Sequence, residues 1–212
     1  LLEGCSGGGG RFDAGMLYYS PQIWTSDDTD AMERLEIQYG TTLCYPPSAM
    51  SAHVSASPNH QTGRESSFKT RGDVAMAGAF GYELDLTKLT DEERELVKCQ
   101  VADYHKYYDL IQNGDYYRLI NPTEDKANPT CAAAWESVSA DKNEVLLTYV
   151  VMRTQVSISR YIRLAGLDPE KIYVDEATGR RYSGALLMNA GLNLTGSWRD
   201  GESKVWRLVV SC

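Results

Sequence analysis

The chain has no run approaching roughly 18 consecutive apolar residues, so nothing in its 212 residues reads as a membrane span. It has little phenylalanine, 3 residues against 14 tyrosines, and tyrosine suits polar pockets and half-buried packing. It has no basic stripe: 21 Lys plus Arg stand against 29 Asp plus Glu, a net charge of −8. Such a chain is a poor partner for nucleic acid and for an anionic membrane surface. The cysteines Cys5, Cys44, Cys99, Cys131 and Cys212 are odd in number and form no C-x-x-C pair. That argues against a disulfide framework and a zinc site, and the expectation is free thiols in a reducing cytoplasm. The opening Leu1-Leu2-Glu3-Gly4-Cys5 has no charged n-region and too short an apolar run for a signal peptide. It reads as a strand cut from a longer sequence.

Two further motifs are missing. Arg11-Phe12 follows the glycine run where a phosphate-binding loop would carry Lys-Ser, and no G-x-G-x-x-G opens a helix. No Ser/His/Asp or Cys/His triad can be assembled; Cys5 could be a nucleophile, but no base stands beside it.

What is present is enough apolar content, 42%, to bury a core. Residues 1–114 alternate strand and helix patterns. Strands are expected over 1–5, 22–26, 48–55 and 80–85, with a short helical turn at 16–19. Asp30-Ala31-Met32-Glu33 resembles a capping box opening a helix that Gly40 ends. A helix is expected over 66–77. Thr90-Asp91-Glu92-Glu93 opens the next, whose apolar face would carry Leu96, Val97, Val101, Tyr104, Tyr108 and Ile111 up to Gly114. This is an α/β pattern with parallel strands, an open sheet or a truncated barrel. From 115 to 212 the pattern becomes β: strands are expected over 131–138, 144–153, 157–164, 171–174, 185–189 and 204–210. Asn128-Pro129, Asp168-Pro169 and Asp200-Gly201 are among the turn signals between them. A separate antiparallel β-sandwich domain is expected there.

The chemistry concentrates near the start. The run Gly4-Cys5-Ser6-Gly7-Gly8-Gly9-Gly10 ends one expected strand, and Asp27 follows the next. Glycines let a bulky ligand sit against backbone, though a plain flexible loop gives the same composition. Asp28 and Asp30 suit helix capping, whereas Asp27, the first acid after the strand, would face the catalytic mouth of a parallel barrel. A calcium site is conceivable for the trio, but the spacing is not that of an EF-hand. His53 and His60 could face the same mouth or serve as structural hydrogen-bonding groups.

Several stretches together resemble the α-galactosidases of glycoside hydrolase family 36. They are Glu3-Gly4-Cys5-Ser6-Gly7-Gly8-Gly9-Gly10-Arg11-Phe12-Asp13, Trp24-Thr25-Ser26-Asp27-Asp28-Thr29-Asp30-Ala31 and Met50-Ser51-Ala52-His53-Val54-Ser55. Pro58-Asn59-His60-Gln61, Thr70-Arg71-Gly72-Asp73 and Gly81-Tyr82-Glu83-Leu84-Asp85 continue the match. The resemblance is looser in the second half, through Ala185-Leu186-Leu187-Met188-Asn189. It implies barrel strands five to eight of a (β/α)8 barrel followed by a C-terminal β domain. It implies that Asp27 is the general acid/base, that Cys5, Ser6 and Gly7, with Gly8 beside them, line the galactose pocket, and that Trp24 walls it. It implies galactose-containing oligosaccharides such as melibiose and raffinose as substrates, and no metal or cofactor. The family's nucleophile, an aspartate in a Lys-x-Asp motif on the fourth strand, is absent from these residues. The chain alone is therefore expected to be inactive and to need a complementary N-terminal part or a homo-oligomer. The alternative is a non-catalytic carbohydrate-binding or structural β-module.

Overall fold

The structure, a computed structural model, describes residues 2–5, 7, 10, 12–127, 130–155 and 160–211. The chain divides into two compact units, Leu1–Gln112 and Asn113–Cys212. Among the described residues no helix is long and apolar enough to cross a membrane.

The first unit is built on a parallel four-stranded sheet in the order β1 (Glu3–Gly4), β2 (Gln22–Trp24), β3 (Met50–Ser55) and β4 (Ala79–Glu83). Helices α1 (Ala31–Thr41) and α2 (Phe68–Ala75) make the crossovers, and α3 (Asp91–Asn113) follows β4. Capping chemistry starts all three helices. Asp30 accepts the Met32 N–H at 2.8 Å, and Ser67 accepts the Thr70 N–H at 3.0 Å. Thr90 and Glu93 form a reciprocal box: the Thr90 N–H donates to Glu93 Oε2 at 3.0 Å and the Glu93 N–H to Thr90 Oγ1 at 3.2 Å. At α1 Glu33 turns to Arg64 instead (3.1 Å), and the helix runs past Gly40 to Thr41.

One sheet face is apolar. Ala52 and Val54 pack there with Phe68 and Ala75 of α2, joined by Phe80, Tyr82 and Val97. Only part of the expected face of α3 is used. Tyr104 lies against Phe80 with ring centroids 5.2 Å apart, and Ile111 is buried, but Leu96, Val101 and Tyr108 are exposed. The buried stripe instead includes the polar Gln100, which donates to the Phe68 carbonyl at 3.0 Å and accepts from Tyr82 Oη at 2.8 Å. Leu96 flanks that stripe on one side and Val101 and Tyr108 on the other, so an apolar count overestimates the contact arc.

The second unit is a six-stranded antiparallel sheet in the order β10-β9-β12-β7-β6-β5. Its strands are β5 (Asp115–Ile120), β6 (Thr130–Val138), β7 (Glu144–Thr154), β9 (Ile172–Asp175), β10 (Arg181–Ser183) and β12 (Ser203–Val210). A two-stranded antiparallel ribbon of β8 (Tyr161–Ile162) and β11 (Leu192–Asn193) accompanies it. Leu147, Tyr149, Tyr173 and Leu208 of the sheet, Ile162 and Leu192 of the ribbon, and Leu187 share one core. Burying each such aliphatic side chain stabilises by about 1.5–3 kcal/mol, so this core alone gives the unit a basis for folding.

Two expectations fail here. Residues 185–189 form a helix, α4 (Gly184–Asn189), not a strand: Ala, Leu and Met favour helix, and Ser183 accepts the Leu186 N–H at 3.1 Å to cap it. A short apolar run does not separate strand from helix. The strand expected over 157–164 is only Tyr161–Ile162, with 157–159 outside the described residues. The Asn128-Pro129 turn also lies outside them.

Candidate active site

A parallel sheet between helix layers is normally apolar on both faces. Here the second face is polar. The ladder pairs Glu3 with Gln22, Trp24 with Ser51, His53 with Gly81 and Ser55 with Glu83, which puts all of them on that face. Gln22 Nε2 donates to Glu3 and, at 2.9 Å, to Ser51 Oγ, and Ser51 Oγ donates to Glu3 Oε2 at 2.5 Å. Trp24 and His53 lie with ring centroids 4.7 Å apart. Gly81 makes room for that imidazole, since a Cβ there would stand 2.7 Å from His53 Cδ2.

The loops at the carboxyl end of the sheet carry the residues singled out from the sequence. Cys5 follows β1 directly and is an exposed free thiol. Gly7 stands in that loop with φ +69°; Ser6 and Gly8 lie outside the described residues. Trp24 ends β2, and Asp27, three residues on, is exposed. Because β1 and β2 are parallel neighbours, the Cys5 loop and Asp27 leave the sheet at the same end.

The Asp27 loop is fastened to the loop after β3. Ser55 Oγ donates to the Thr29 carbonyl at 2.8 Å, Asn59 Nδ2 to Thr29 Oγ1 at 3.1 Å, and the Thr29 N–H to Gln61 Oε1 at 3.2 Å. Arg64 Nη1 reaches Asp30 Oδ1 at 2.7 Å, and Thr62 Oγ1 also donates to Asp30. His60 is exposed within this second loop.

Arg34 and Glu83 lie in stretches that resemble the family but were given no site role from the sequence. Arg34 is buried, donates through Nη2 to the Ser51 carbonyl at 2.8 Å, and lies 5.9 Å from the Trp24 ring centroid. Its Nη1 is buried without a hydrogen-bond partner among the described residues. Burial brings its pKa down to about 10, against the opposing pull of Asp28 and Glu83, so it stays a cation at neutral pH. Burial, with Arg34 as a lesser cause, lowers His53 and favours neutral imidazole, while Glu3 pulls the other way. Glu83 is exposed at the end of β4, and partial desolvation there raises it, with the charge on Asp27 adding to this; His60 and Arg34 oppose it. The signal that could have found Glu83 was the Ala79, Gly81, Glu83 alternation, which makes one face of this strand small and polar. Among the described residues no group of three or more His, Cys, Asp or Glu could hold a metal ion.

The family model named Melibiase matches residues 1–114, and the glycosyl hydrolase family 36 C-terminal domain matches residues 132–208. The chain belongs to glycoside hydrolase family 36. It is 56% identical over 195 residues to the bifunctional alpha-galactosidase/sucrose kinase AgaSK of Mediterraneibacter gnavus, covering 92% of this chain and 20% of that protein. It is 55% identical over 210 residues to alpha-galactosidase AgaA of Geobacillus stearothermophilus, covering 98% of this chain and 28% of that protein. A crystal structure of an AgaA variant in complex with raffinose matches with a TM-score of 0.94 at 52% identity, covering 100% of this chain and 29% of that one. The family 36 chain thus spans less than a third of the length of these relatives.

Proposed function

We propose that this family 36 chain is the acid/base-bearing part of a retaining α-galactosidase acting on terminal α-galactosides such as melibiose and raffinose-type oligosaccharides. In this reading residues 1–114 supply strands five to eight of an eight-stranded (β/α) barrel, and residues 115–212 form the C-terminal β-sandwich domain. The observation that carries it is Asp27: an exposed carboxylate just past the carboxyl end of a parallel strand, at the same end of the sheet as the Cys5 loop. In barrel enzymes that end of the sheet is where reactions occur.

Retaining hydrolysis needs two carboxyls about 5–5.5 Å apart. A nucleophile from the rest of the protein attacks the anomeric carbon as the bond to the leaving oxygen breaks. Asp27 gives its proton to that oxygen, so the departing alcohol leaves neutral. Water then attacks the same carbon of the galactosyl-enzyme, Asp27 takes a proton from it, and galactose is released with the nucleophile restored. The loop of Cys5, Ser6, Gly7 and Gly8 contacts the galactose, and Trp24, steadied by Arg34 and His53, walls the pocket. The partner is the complementary N-terminal part of the enzyme or a second copy of it. The cytoplasm suits the exposed thiols Cys5, Cys44 and Cys99.

In the intact protein Asp27→Asn should lower melibiose turnover by about 10²–10⁴-fold while circular dichroism stays unchanged. Wild-type turnover in that variant would end the reading. The 212-residue chain alone should not hydrolyse an aryl α-galactoside.

A further inference from the structure

Asp27 has a role in the reading above, on which this inference rests, but Glu83 has none. Glu83 ends β4 opposite Ser55, on the polar face of the sheet. The Ser55 hydroxyl holds the Thr29 carbonyl at 2.8 Å, and Thr29 is two residues past Asp27. The two carboxylates therefore stand at one end and on one side of the sheet, close enough for their charges to act on each other. His60 from the β3–α2 loop and Arg34 from α1 are the other charged or titratable groups that act on Glu83. Arg34 is engaged by the Ser51 carbonyl at 2.8 Å, and His60 is exposed.

Glycosidic cleavage passes through an oxocarbenium-like transition state, in which the sugar ring becomes positively charged. Fixed charges of opposite sign, placed before the reaction, stabilise such a state. We propose that Glu83 is an electrostatic residue of the galactoside site, whose carboxylate on the rim shared with Asp27 favours a positively charged sugar over a neutral one. Glu83 forms no bond to the substrate and exchanges no proton in this role.

The test compares two ligands in the intact protein by calorimetry at neutral pH. One is 1-deoxygalactonojirimycin, a galactose-shaped amine that is protonated there; the other is galactose, which is neutral. Glu83→Gln should raise the Kd for the amine by about threefold or more and leave that for galactose within about twofold. Glu83→Asp, which keeps the charge, should retain most of the preference. An unchanged ratio of the two Kd values in Glu83→Gln, an equal loss of both ligands, or a loss in Glu83→Asp as complete as in Glu83→Gln overturns the proposal. Should Glu83→Gln lose its circular dichroism signal, the same ratio in Glu83→Ala decides. The two readings separate cleanly. An inactive Asp27→Asn with an unmoved ratio removes only the role of Glu83, whereas an active Asp27→Asn removes the acid/base assignment.

Discussion

Asp30 and Arg64 meet at 2.7 Å, and the Asp30 oxygen that receives the guanidinium also accepts the Met32 N–H that starts α1. One buried carboxylate, 1% exposed, thus closes a helix and ties the β2–α1 loop to the β3–α2 loop. Asp30→Ala should cost the protein about 1–3 kcal/mol, because it removes a cap, takes the acceptor from Thr62 and leaves Arg64 with Glu33 alone. Asp30→Asn keeps the cap and should cost less. Urea denaturation midpoints of the two variants check the order; equal losses would mean that the cap contributes nothing and the lost carboxylate charge is the whole effect.

Gly81 is the other fixed point near the mouth. A methyl group there would press on His53, 2.7 Å from Cδ2 and 2.9 Å from Nε2, and shift an imidazole that lies against Trp24. Gly81→Ala should therefore lower kcat/KM of the intact protein for melibiose, on the order of tenfold, through misplaced rings. Unaltered kinetics would show that neither ring matters to the sugar.

In the second unit Arg160 holds Asp125 with two bonds, Nη2 to Oδ1 at 2.6 Å and Nη1 to Oδ2 at 3.1 Å, while Asp125 Oδ2 accepts the Ala132 N–H at 2.7 Å. Asp125→Ala should destabilise by about 3–5 kcal/mol, because it takes the carboxylate from a half-buried guanidinium and leaves it only the Thr130 carbonyl and the Tyr149 hydroxyl. Arg160→Lys should recover little, since an ammonium cannot reproduce the fork. Thermal unfolding of the two variants reads both effects.

Glu136 is fully buried in β6, with Oε1 accepting the Ala165 N–H at 2.6 Å and Oε2 buried without a hydrogen-bond partner among the described residues. Burial pushes it up to about 8 from 4.5, against the pull of that N–H. Its protonated form is favoured in the folded state, so the stability it contributes is fully present below about pH 4.5 and is lost as pH rises through about 8. Glu136→Gln keeps the acceptor for Ala165 and removes the ionisation. The variant should flatten the fall in unfolding free energy between pH 5 and 8, read by urea denaturation, by on the order of a few kcal/mol. A slope equal to that of wild type would assign the fall to other groups.

The sequence by itself determined the parallel strands and the helix starts. Capping residues and β-periodic runs act over a few residues, so Thr90 with Glu93 and the strand at Met50–Ser55 were legible without a fold. The family was legible too, because its signatures at residues 3–13, 24–31 and 50–55 are contiguous. Where the choice was not local, the sequence misled: residues 185–189 could have been strand or helix, and only the Ser183 cap and the core around Leu187 selected helix. Which side of α3 is buried was also decided by packing, since Gln100 finds two partners there and Leu96 finds none of the core. Only the tertiary structure placed Glu83 with Asp27 and drove Arg34 under Trp24. Those residues lie 56 and 10 positions apart in the chain, and the packing of parallel strands, the helix laid on them and the loops at their ends, not sequence distance, brings such groups together.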